Sequence, residues 1–496
     1  MKKEEPHTKE AKGLHHILKY TGIFGMVQVL NMIMNIIRNK VAAVFLGPAG
    51  MGMLDMYNKA SNMLSESTNL GLNISGVKYV SEESSSGIPS RIQQFCTTLR
   101  TYSLIVGLLG MGVCICCHWI FRYTYTTVNF FFLSPVILFM AISGGELAIL
   151  KGTKQLKSLT KVSIFAAFII LAVYTPFFYL KGMAGIIWAL IVGQFIVTLV
   201  TLYYSTKSLP YRIRPFSKEH MKKGLPMLKM GLGLIVAGMM GKGTELFINS
   251  FIEQTGGLDD VGLFNRGYTM AVVYASIIFS AMDADFYPRL SSTGSNTTLQ
   301  NQTINRQIEV CVLLISPFLI FFTIGMPILV PVLFTNEFIT CIPMAIGAMM
   351  FMYFRALILP VGYLALARGD SKMYMFTEFV YDVLTAIAVP LVYVKWGLTA
   401  TGFTISACGL MDMILIYSLY RHRYKFRFDT SHLRLYAFHG ILTILAVVLV
   451  FMTDGWLRWT AGISIGLISL SSSIYTLSRE TDVFKKLKSK FRSRPQ

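Results

Sequence analysis

The chain has 496 residues, of which 54% are hydrophobic and only 14% are charged, and this balance excludes an ordinary soluble domain. Its net charge of +20 could suggest nucleic-acid binding, but most of the 45 Lys and Arg residues lie in short segments between long apolar runs. Cationic loops on one side of a membrane follow the positive-inside rule. We therefore predict an integral membrane protein that contacts membrane lipids and has no nucleic-acid partner.

Long apolar runs predict about fourteen membrane-spanning helices, since a span needs about 20 mostly apolar residues. Continuous runs favour helices over the short alternating strands of a barrel, so the predicted fold class is all-α. The cation distribution places both termini in the cytoplasm and leaves only Arg122, Lys181, Lys395 and Arg458 outside. The predicted spans are centred near residues 32, 66, 109, 139, 170, 194, 238, 273, 319, 352, 384, 409, 443 and 467.

An internal repeat predicts two six-helix lobes. The stretches Leu147-Ala-Ile-Leu-Lys-Gly152 and Leu364-Ala-Leu-Ala-Arg-Gly369 both end a span, and Gly185 and Gly402 follow them at the same spacing. Because each repeat holds an even number of spans, the lobes are expected to be related by a pseudo-twofold axis along the membrane normal. The predicted segments are a cytoplasmic tail (1–16), an N-terminal lobe (17–206), a cytoplasmic linker (207–224), a C-terminal lobe (225–427), helices 13 and 14 (428–480) and a basic cytoplasmic tail (481–496).

The first two spans of each lobe carry polar side chains, many of them spaced three or four residues apart on one helix face. An unpaired polar group in hydrocarbon costs several kcal/mol, so these faces should border water or protein. We predict that they line a hydrated central cavity between the lobes, while hydrogen bonding between helices is the alternative. The predicted cavity-lining residues are Gln28, Asn31, Asn35, Asn62, Asn69, Asn73, Asn249, Asn265, Thr269 and Ser276.

Five cations within the spans are the predicted substrate-binding residues. A charge at such a depth costs at least about 2.5 kcal/mol on insertion scales, which indicates a functional reason for it. Lys59 and Lys242 each have an acid three or four residues away, so local ion pairing is the alternative for these two. A guanidinium can donate two hydrogen bonds to a phosphate, and the set therefore indicates an anionic substrate. The residues are Arg38, Lys59, Lys242, Arg266 and Arg355.

Carboxylates within the spans outnumber these cations and suggest ion coupling. A buried carboxylate can take up and release a proton or hold Na⁺, which is a common basis of gradient-driven transport. The coupling candidates are Asp55, Glu66, Glu245 and Asp283. No cofactor and no metal site are predicted, because the Cys114-Ile-Cys-Cys-His118 run lies in a span where cysteine is an ordinary small apolar residue.

The segment Phe45-Leu-Gly-Pro-Ala-Gly-Met-Gly52, with Asn69-Leu-Gly71 and Gly76-Val-Lys-Tyr-Val-Ser81, resembles the N-terminal lobe of Wzx-type O-antigen or polysaccharide flippases. These belong to the multidrug/oligosaccharidyl-lipid/polysaccharide (MOP) exporter superfamily. The resemblance covers the architecture of two six-helix lobes and a terminal helix pair. It implies a bacterial inner-membrane protein of lipopolysaccharide or polysaccharide biosynthesis, which moves an undecaprenyl-pyrophosphate-linked oligosaccharide to the outer leaflet by alternating access. The five cations would receive pyrophosphate or acidic sugars, and H⁺ or Na⁺ would drive the reset.

Two other functions stay open. A cation-coupled antiporter of the multidrug-extrusion branch usually has twelve spans and accepts cations. A polyprenyl-linked sugar polymerase or transferase would carry catalytic groups on large outer loops, whereas the outer loops here are short. The chain lacks a nucleophile–base constellation and a nucleotide motif, so we expect a transporter and not an enzyme. A monomer is expected, with polysaccharide polymerase and assembly proteins as candidate partners.

Overall fold

The computed structural model describes the backbone of residues 6–85, 88–120, 127–207, 209–211, 218–294 and 296–480, with the side chains of all of these except 6–29, 218–238, 280–285 and 480. The described residues form helices joined by short turns, with no β-strand among them, and the all-α prediction is confirmed. The chain divides into two compact units, Met1–Ser250 (unit 1) and Phe251–Gln496 (unit 2). The lobe boundaries expected from the sequence stay a prediction.

Unit 1 contains six complete helices and most of a seventh. They are α1 (Pro6–Thr68), α2 (Leu72–Ser85), α3 (Pro89–Ile120), α4 (Phe130–Gly152), α5 (Leu156–Lys181), α6 (Ile186–Thr206) and α7 (Lys218–Tyr268), which ends in unit 2. The long helix α1 is interrupted at Gly47, whose φ of 62° lies in the left-handed region that glycine adopts without steric cost. Pro48 follows at once, and its fixed φ suits the first turn of a new helix.

Unit 2 continues α7 through a single turn of π-helix, Thr269–Val273, into α8. Its further helices are α8 (Tyr274–Ser291), α9 (Thr297–Leu333), α10 (Ile342–Ala367), α11 (Ser371–Tyr424), α12 (Thr430–Met452) and α13 (Gly455–Glu480). Two of the long helices are again broken at a glycine with positive φ, α7 at Gly257 (85°) and α11 at Gly397 (74°). Each of the three glycine breaks falls between two of the predicted spans.

Eight helical stretches among the described residues are long and apolar enough to cross a membrane, so the protein is an integral membrane protein. Two of them, Leu156–Thr206 and Ser371–Tyr424, exceed 50 residues and are each longer than one span requires. Neither α1 nor α7 is among the eight. These are helices in which the sequence shows polar and charged side chains. Every predicted span centre lies in a helix, and the total of fourteen spans stays a prediction.

The turn between α10 and α11 ties the two ends of α11 together. Asp370 Oδ1 caps α11 by accepting a hydrogen bond from the Met373 N–H at 3.2 Å. Its other carboxylate oxygen accepts hydrogen bonds from the Tyr424 hydroxyl and from Arg423 Nε, both at 2.8 Å. The Tyr424 and Arg423 donors hold the pKa of the Asp370 carboxyl below its ordinary value.

This turn gives a pH-dependent prediction. Because the pKa of Asp370 is lowered in the folded state, its stabilising contribution is present above its ordinary pKa of about 3.9 and disappears as the pH falls through the lower folded value. Asp370→Asn is therefore expected to lower the melting temperature of the purified protein at neutral pH, and the difference from wild type should shrink below about pH 4. A difference that does not change with pH would contradict this assignment.

Candidate functional site

Four predicted site residues meet in unit 1 and form two ion pairs between α1 and α7. Lys242 on α7 pairs with Glu66 on α1, and Lys59 Nζ on α1 lies 3.8 Å from the Glu245 carboxylate on α7. Lys59 and Glu66 are seven positions apart, about two helical turns, and so lie on one face of α1. Lys242 and Glu245 are three positions apart on one face of α7. We call these four residues the Lys–Glu cluster.

The Lys–Glu cluster is open to solvent. The side chains of Lys59 and Lys242 are 21% and 38% exposed, and those of Glu66 and Glu245 are 45% and 54% exposed. Ion pairs with this exposure contribute about 0–1 kcal/mol, since water competes for both partners. An anion that reaches the cluster can therefore displace a carboxylate from either ammonium at little cost.

The pairing differs from the local alternative that the sequence offered. Lys242 and Glu245 lie three residues apart on one helix, but the structure pairs Lys242 with Glu66 on the other helix. Glu245 instead lies next to Lys59. The reason is geometric: one face of α1 is turned toward one face of α7, so the long side chains reach the opposite helix. Two predicted substrate-binding cations and two predicted coupling acids are thus brought together.

The remaining unit 1 candidates are more scattered. Arg38 is half-buried and interacts electrostatically with Tyr174 of α5. The coupling candidate Asp55 is half-buried one turn before Lys59. Of the predicted cavity-lining side chains, Asn35, Asn62 and Asn73 are exposed, Asn31 is half-buried, and Asn69 and Asn249 are buried. The side chains of Gln28 and Asp283 lie outside the described residues.

A second charged group forms in unit 2 around Arg355 on α10. Its guanidinium interacts electrostatically with Glu378 and Asp412, which lie on the two halves of α11 on either side of Gly397. Glu378 is half-buried, whereas Asp412 is 7% exposed. No acid lies within helical reach of Arg355 along α10, and its partners come from α11.

Arg266 is packed into protein in this structure. Its side chain lies over the Phe334 ring, with 5.6 Å from the guanidinium carbon to the ring centroid, and the residue is 5% exposed. The neighbouring Asn265 is 4% exposed, and Thr269 donates its hydroxyl to the Asn265 carbonyl at 2.7 Å. Ser276 donates to the Val273 carbonyl, also at 2.7 Å. These hydroxyl contacts stay within their own helical segment.

Residues 88–343, just over half of the chain, match the family described as polysaccharide biosynthesis protein. The chain belongs to this family. None of the curated proteins matches the sequence of this polysaccharide biosynthesis protein. The family assignment agrees with the resemblance to Wzx-type flippases of the MOP superfamily that the sequence motifs suggested.

Solved structures of MOP transporters share the fold of this polysaccharide biosynthesis protein. An inward closed structure of the Lipid II flippase MurJ has a TM-score of 0.72, with 11% identity over 92% of this chain and 99% of that chain. An inward-facing multidrug resistance MATE family transporter of the MOP superfamily has a TM-score of 0.66, with 13% identity over 80% and 94%. A MOP superfamily transporter from Pyrococcus furiosus has a TM-score of 0.54, with 12% identity over 81% and 93%. At these identities the likeness establishes a common fold.

The polysaccharide biosynthesis protein also contains a buried ion pair that sequence reasoning missed. Arg100 on α3 donates from Nε and Nη2 to the two carboxylate oxygens of Glu146 on α4, at 2.7 and 3.0 Å. The residues are 3% and 1% exposed. Ser205 near the end of α6 donates its hydroxyl to the same carboxylate. Three helices of unit 1 therefore meet at one fully satisfied charge pair.

Arg100 also holds the chain that leaves α6. Its guanidinium donates to the carbonyls of Pro210 at 2.8 Å and Leu209 at 3.2 Å, and it lies over the Tyr211 ring at 4.9 Å. Burial of Tyr211 raises the pKa of its phenol. We call Arg100, Glu146 and their contacts to residues 209–211 the Arg100 anchor. The signal in the sequence was Glu146, a lone acid inside the apolar span of α4.

Proposed function

We propose that this protein is a flippase that moves a lipid-linked oligosaccharide across a bacterial inner membrane by alternating access, with both termini in the cytoplasm. The substrate is a surface-polysaccharide repeat unit, such as an O-antigen unit, on undecaprenyl pyrophosphate. Membership of the polysaccharide biosynthesis family supports the substrate class. The fold, which a protein named as a Lipid II flippase shares, supports the transport of a lipid-linked cargo.

The observation that carries this proposal is the half-exposed Lys–Glu cluster between α1 and α7. A pyrophosphate group presents several anionic oxygens, and ammonium groups bind such oxygens by charge-assisted hydrogen bonds. The carboxylates of Glu66 and Glu245 pair with the two ammonium groups in this structure. Incoming phosphate oxygens then exchange with these carboxylates, so that each ammonium keeps a charged partner throughout.

The same exchange suggests how an ion gradient is coupled to transport. A carboxylate can take up H⁺ or hold Na⁺ in place of its ammonium partner. Glu66 and Glu245 are the candidates to carry H⁺ or Na⁺ during the return of the substrate-free protein, the step that an inward gradient can drive. Asp55 and Asp283 remain candidates for the same role. Arg38 and Arg355 are candidates for further phosphate or acidic-sugar contacts, and Arg266 would need to leave its place on Phe334.

Charge removal tests the proposal. Lys59→Gln/Lys242→Gln is expected to reduce outer-leaflet delivery of the glycolipid by about tenfold or more, since two charge-assisted contacts to phosphate are lost. Delivery is measured in producing cells with matched amounts of protein in the membrane. Lys78→Gln is the matched control, because Lys78 also forms an exposed ion pair, at 3.9 Å from Glu82, but on α2. Normal delivery in the double variant would contradict a phosphate-receiving role.

A further inference from the structure

Two cavities adjoin at one end of unit 2. The first, the polar pocket, has a volume of about 660 Å³ and lies between the first turns of α9 and the segment that joins α11 to α12. Its charged lining residues are Arg306, Glu309, Arg427, Asp429 and His432. The second, the apolar groove, has a volume of about 400 Å³ and is lined almost wholly by apolar atoms of α10, α11 and α12. Phe428 lines both cavities, so the two lie side by side at this ring.

The polar pocket is held in shape by the protein itself. The Asn305 amide on α9 donates to the Arg427 carbonyl at 2.9 Å, and its oxygen accepts from the Asp429 N–H at 2.9 Å. The His432 ring lies 3.4 Å from both the Glu309 and the Asp429 carboxylates. Asn305 is 6% exposed. These bonds fix the α11–α12 segment against α9 and leave the arginine side chains exposed at the rim of the pocket.

The apolar groove opens toward the surface of the helices. Leu433, Ile441 and Ile444 on α12 line it and are 45%, 57% and 48% exposed. Tyr353 and Leu357 of α10 form its other wall. Exposed aliphatic side chains on a membrane helix contact hydrocarbon chains, while an adjoining rim of charged and aromatic groups matches the level of lipid headgroups. A single molecule with a charged head and a hydrocarbon tail would therefore fill both cavities.

We propose that the polar pocket and the apolar groove bind one phospholipid whose headgroup carries a phosphate and a free primary amine. The guanidinium groups of Arg306 and Arg427 hold the phosphate. The carboxylates of Glu309 and Asp429 accept hydrogen bonds from the ammonium group. Phe428 packs at the junction of head and tail, and an acyl chain occupies the groove. The lipid is a resident ligand of unit 2, distinct from the transported cargo.

The balance of charges selects this headgroup over others. Two guanidinium groups, two carboxylates and the His432 ring between the carboxylates line the pocket, and a zwitterionic headgroup adds no net charge to this lining. An anionic headgroup without an amine would leave the carboxylates facing negative charge, and like charges repel at such distances. A quaternary ammonium group has no N–H to donate to them. A free phosphate would fill only the polar pocket and would make no use of the adjoining apolar groove.

The test uses the full-length protein, purified in detergent and stripped of lipid. Phosphatidylethanolamine, phosphatidylcholine, phosphatidylglycerol or inorganic phosphate is added, and retention is followed by native mass spectrometry together with the melting temperature. Phosphatidylethanolamine alone is expected to be retained as a single molecule and to raise the melting temperature. Arg306→Ala/Arg427→Ala should weaken its retention about tenfold or more, because charge-assisted bonds to phosphate are lost.

A second variant tests the groove separately. Ala437→Trp places an indole in the groove, where Ala437 is exposed, and should abolish retention without removing any charge. Arg421→Ala is the control, since Arg421 is exposed on α11 and does not line the pocket. This variant should retain phosphatidylethanolamine as well as the wild type does. Equal retention of phosphatidylglycerol or phosphatidylcholine would overturn the headgroup assignment. A response to inorganic phosphate alone, or unchanged retention in both variants, would overturn the lipid site.

Discussion

Replacing Arg100 with alanine is expected to destabilise the protein by about 3–5 kcal/mol, because the buried Glu146 carboxylate would lose its counterion. The pair is almost fully buried, so water cannot replace the guanidinium. The carbonyls of Leu209 and Pro210 would lose their donors as well. The midpoint of chemical denaturation in detergent measures the effect. We also expect trypsin to cleave faster after Lys207, because the chain that follows α6 would lose its attachment.

A double variant separates the ion pair from mere loss of volume. Arg100→Met/Glu146→Leu removes both charges and keeps apolar bulk, so it should be more stable than Arg100→Ala alone. The same double variant should still show faster cleavage after Lys207, since methionine cannot donate to the Pro210 carbonyl. A double variant as unstable as the single one would show that the charge pair is not the source of the effect.

Gly402→Ala is expected to disrupt the contact between α10 and α11. A Cβ at Gly402 would overlap the backbone carbonyl of Met344, and backbone cannot rotate away as a side chain can. Overpacking of this kind costs about 1–3 kcal/mol or more. The shift should appear as a lower melting temperature and a smaller yield of folded protein in the membrane. Unchanged stability would mean that α10 and α11 do not approach as closely as described.

Gly362→Ala is the matched control for this prediction. Gly362 also lies in α10, but a Cβ there would meet no heavy atom within 4 Å. Alanine costs less backbone entropy than glycine in a helix, so this variant should be as stable as wild type or slightly more stable, by about 0.5–1 kcal/mol. Equal losses in both variants would point to a general intolerance of α10 and not to the Met344 contact.

The breaks in the long helices lie at local features of the sequence, between stretches that were predicted as separate spans. Gly47-Pro48 joins a residue that tolerates positive φ to one that starts a helix, and the structure interrupts α1 there. The helices α7 and α11 are likewise interrupted at Gly257 and Gly397. Such signals are readable because backbone preferences act over a few neighbouring residues. The repeated Gly185 and Gly402 likewise both lie against a backbone carbonyl.

The sequence did not identify which acid pairs with which cation. Helical spacing suggested Glu245 as the partner of Lys242, but Lys242 pairs with Glu66, which lies 176 positions away along the chain. Arg355 likewise interacts with Glu378 and Asp412, which lie on another helix. Arg100 was not among the predicted site residues, although it forms the most buried ion pair among the described residues. Spacing along one helix shows which side chains share a face and says nothing about which faces of other helices they meet.

Composition and apolar periodicity alone determined that this is a helical membrane protein with polar and charged groups in its spans, since the length of an apolar run and the transfer of charge into lipid are local costs. Only the tertiary structure decided which of those charges stay half-exposed, as in the Lys–Glu cluster, and which are packed away, as at Arg266 and the Arg100 anchor. Burial and pairing arise from contacts between distant segments of the chain, and those contacts exist only once the helices have packed.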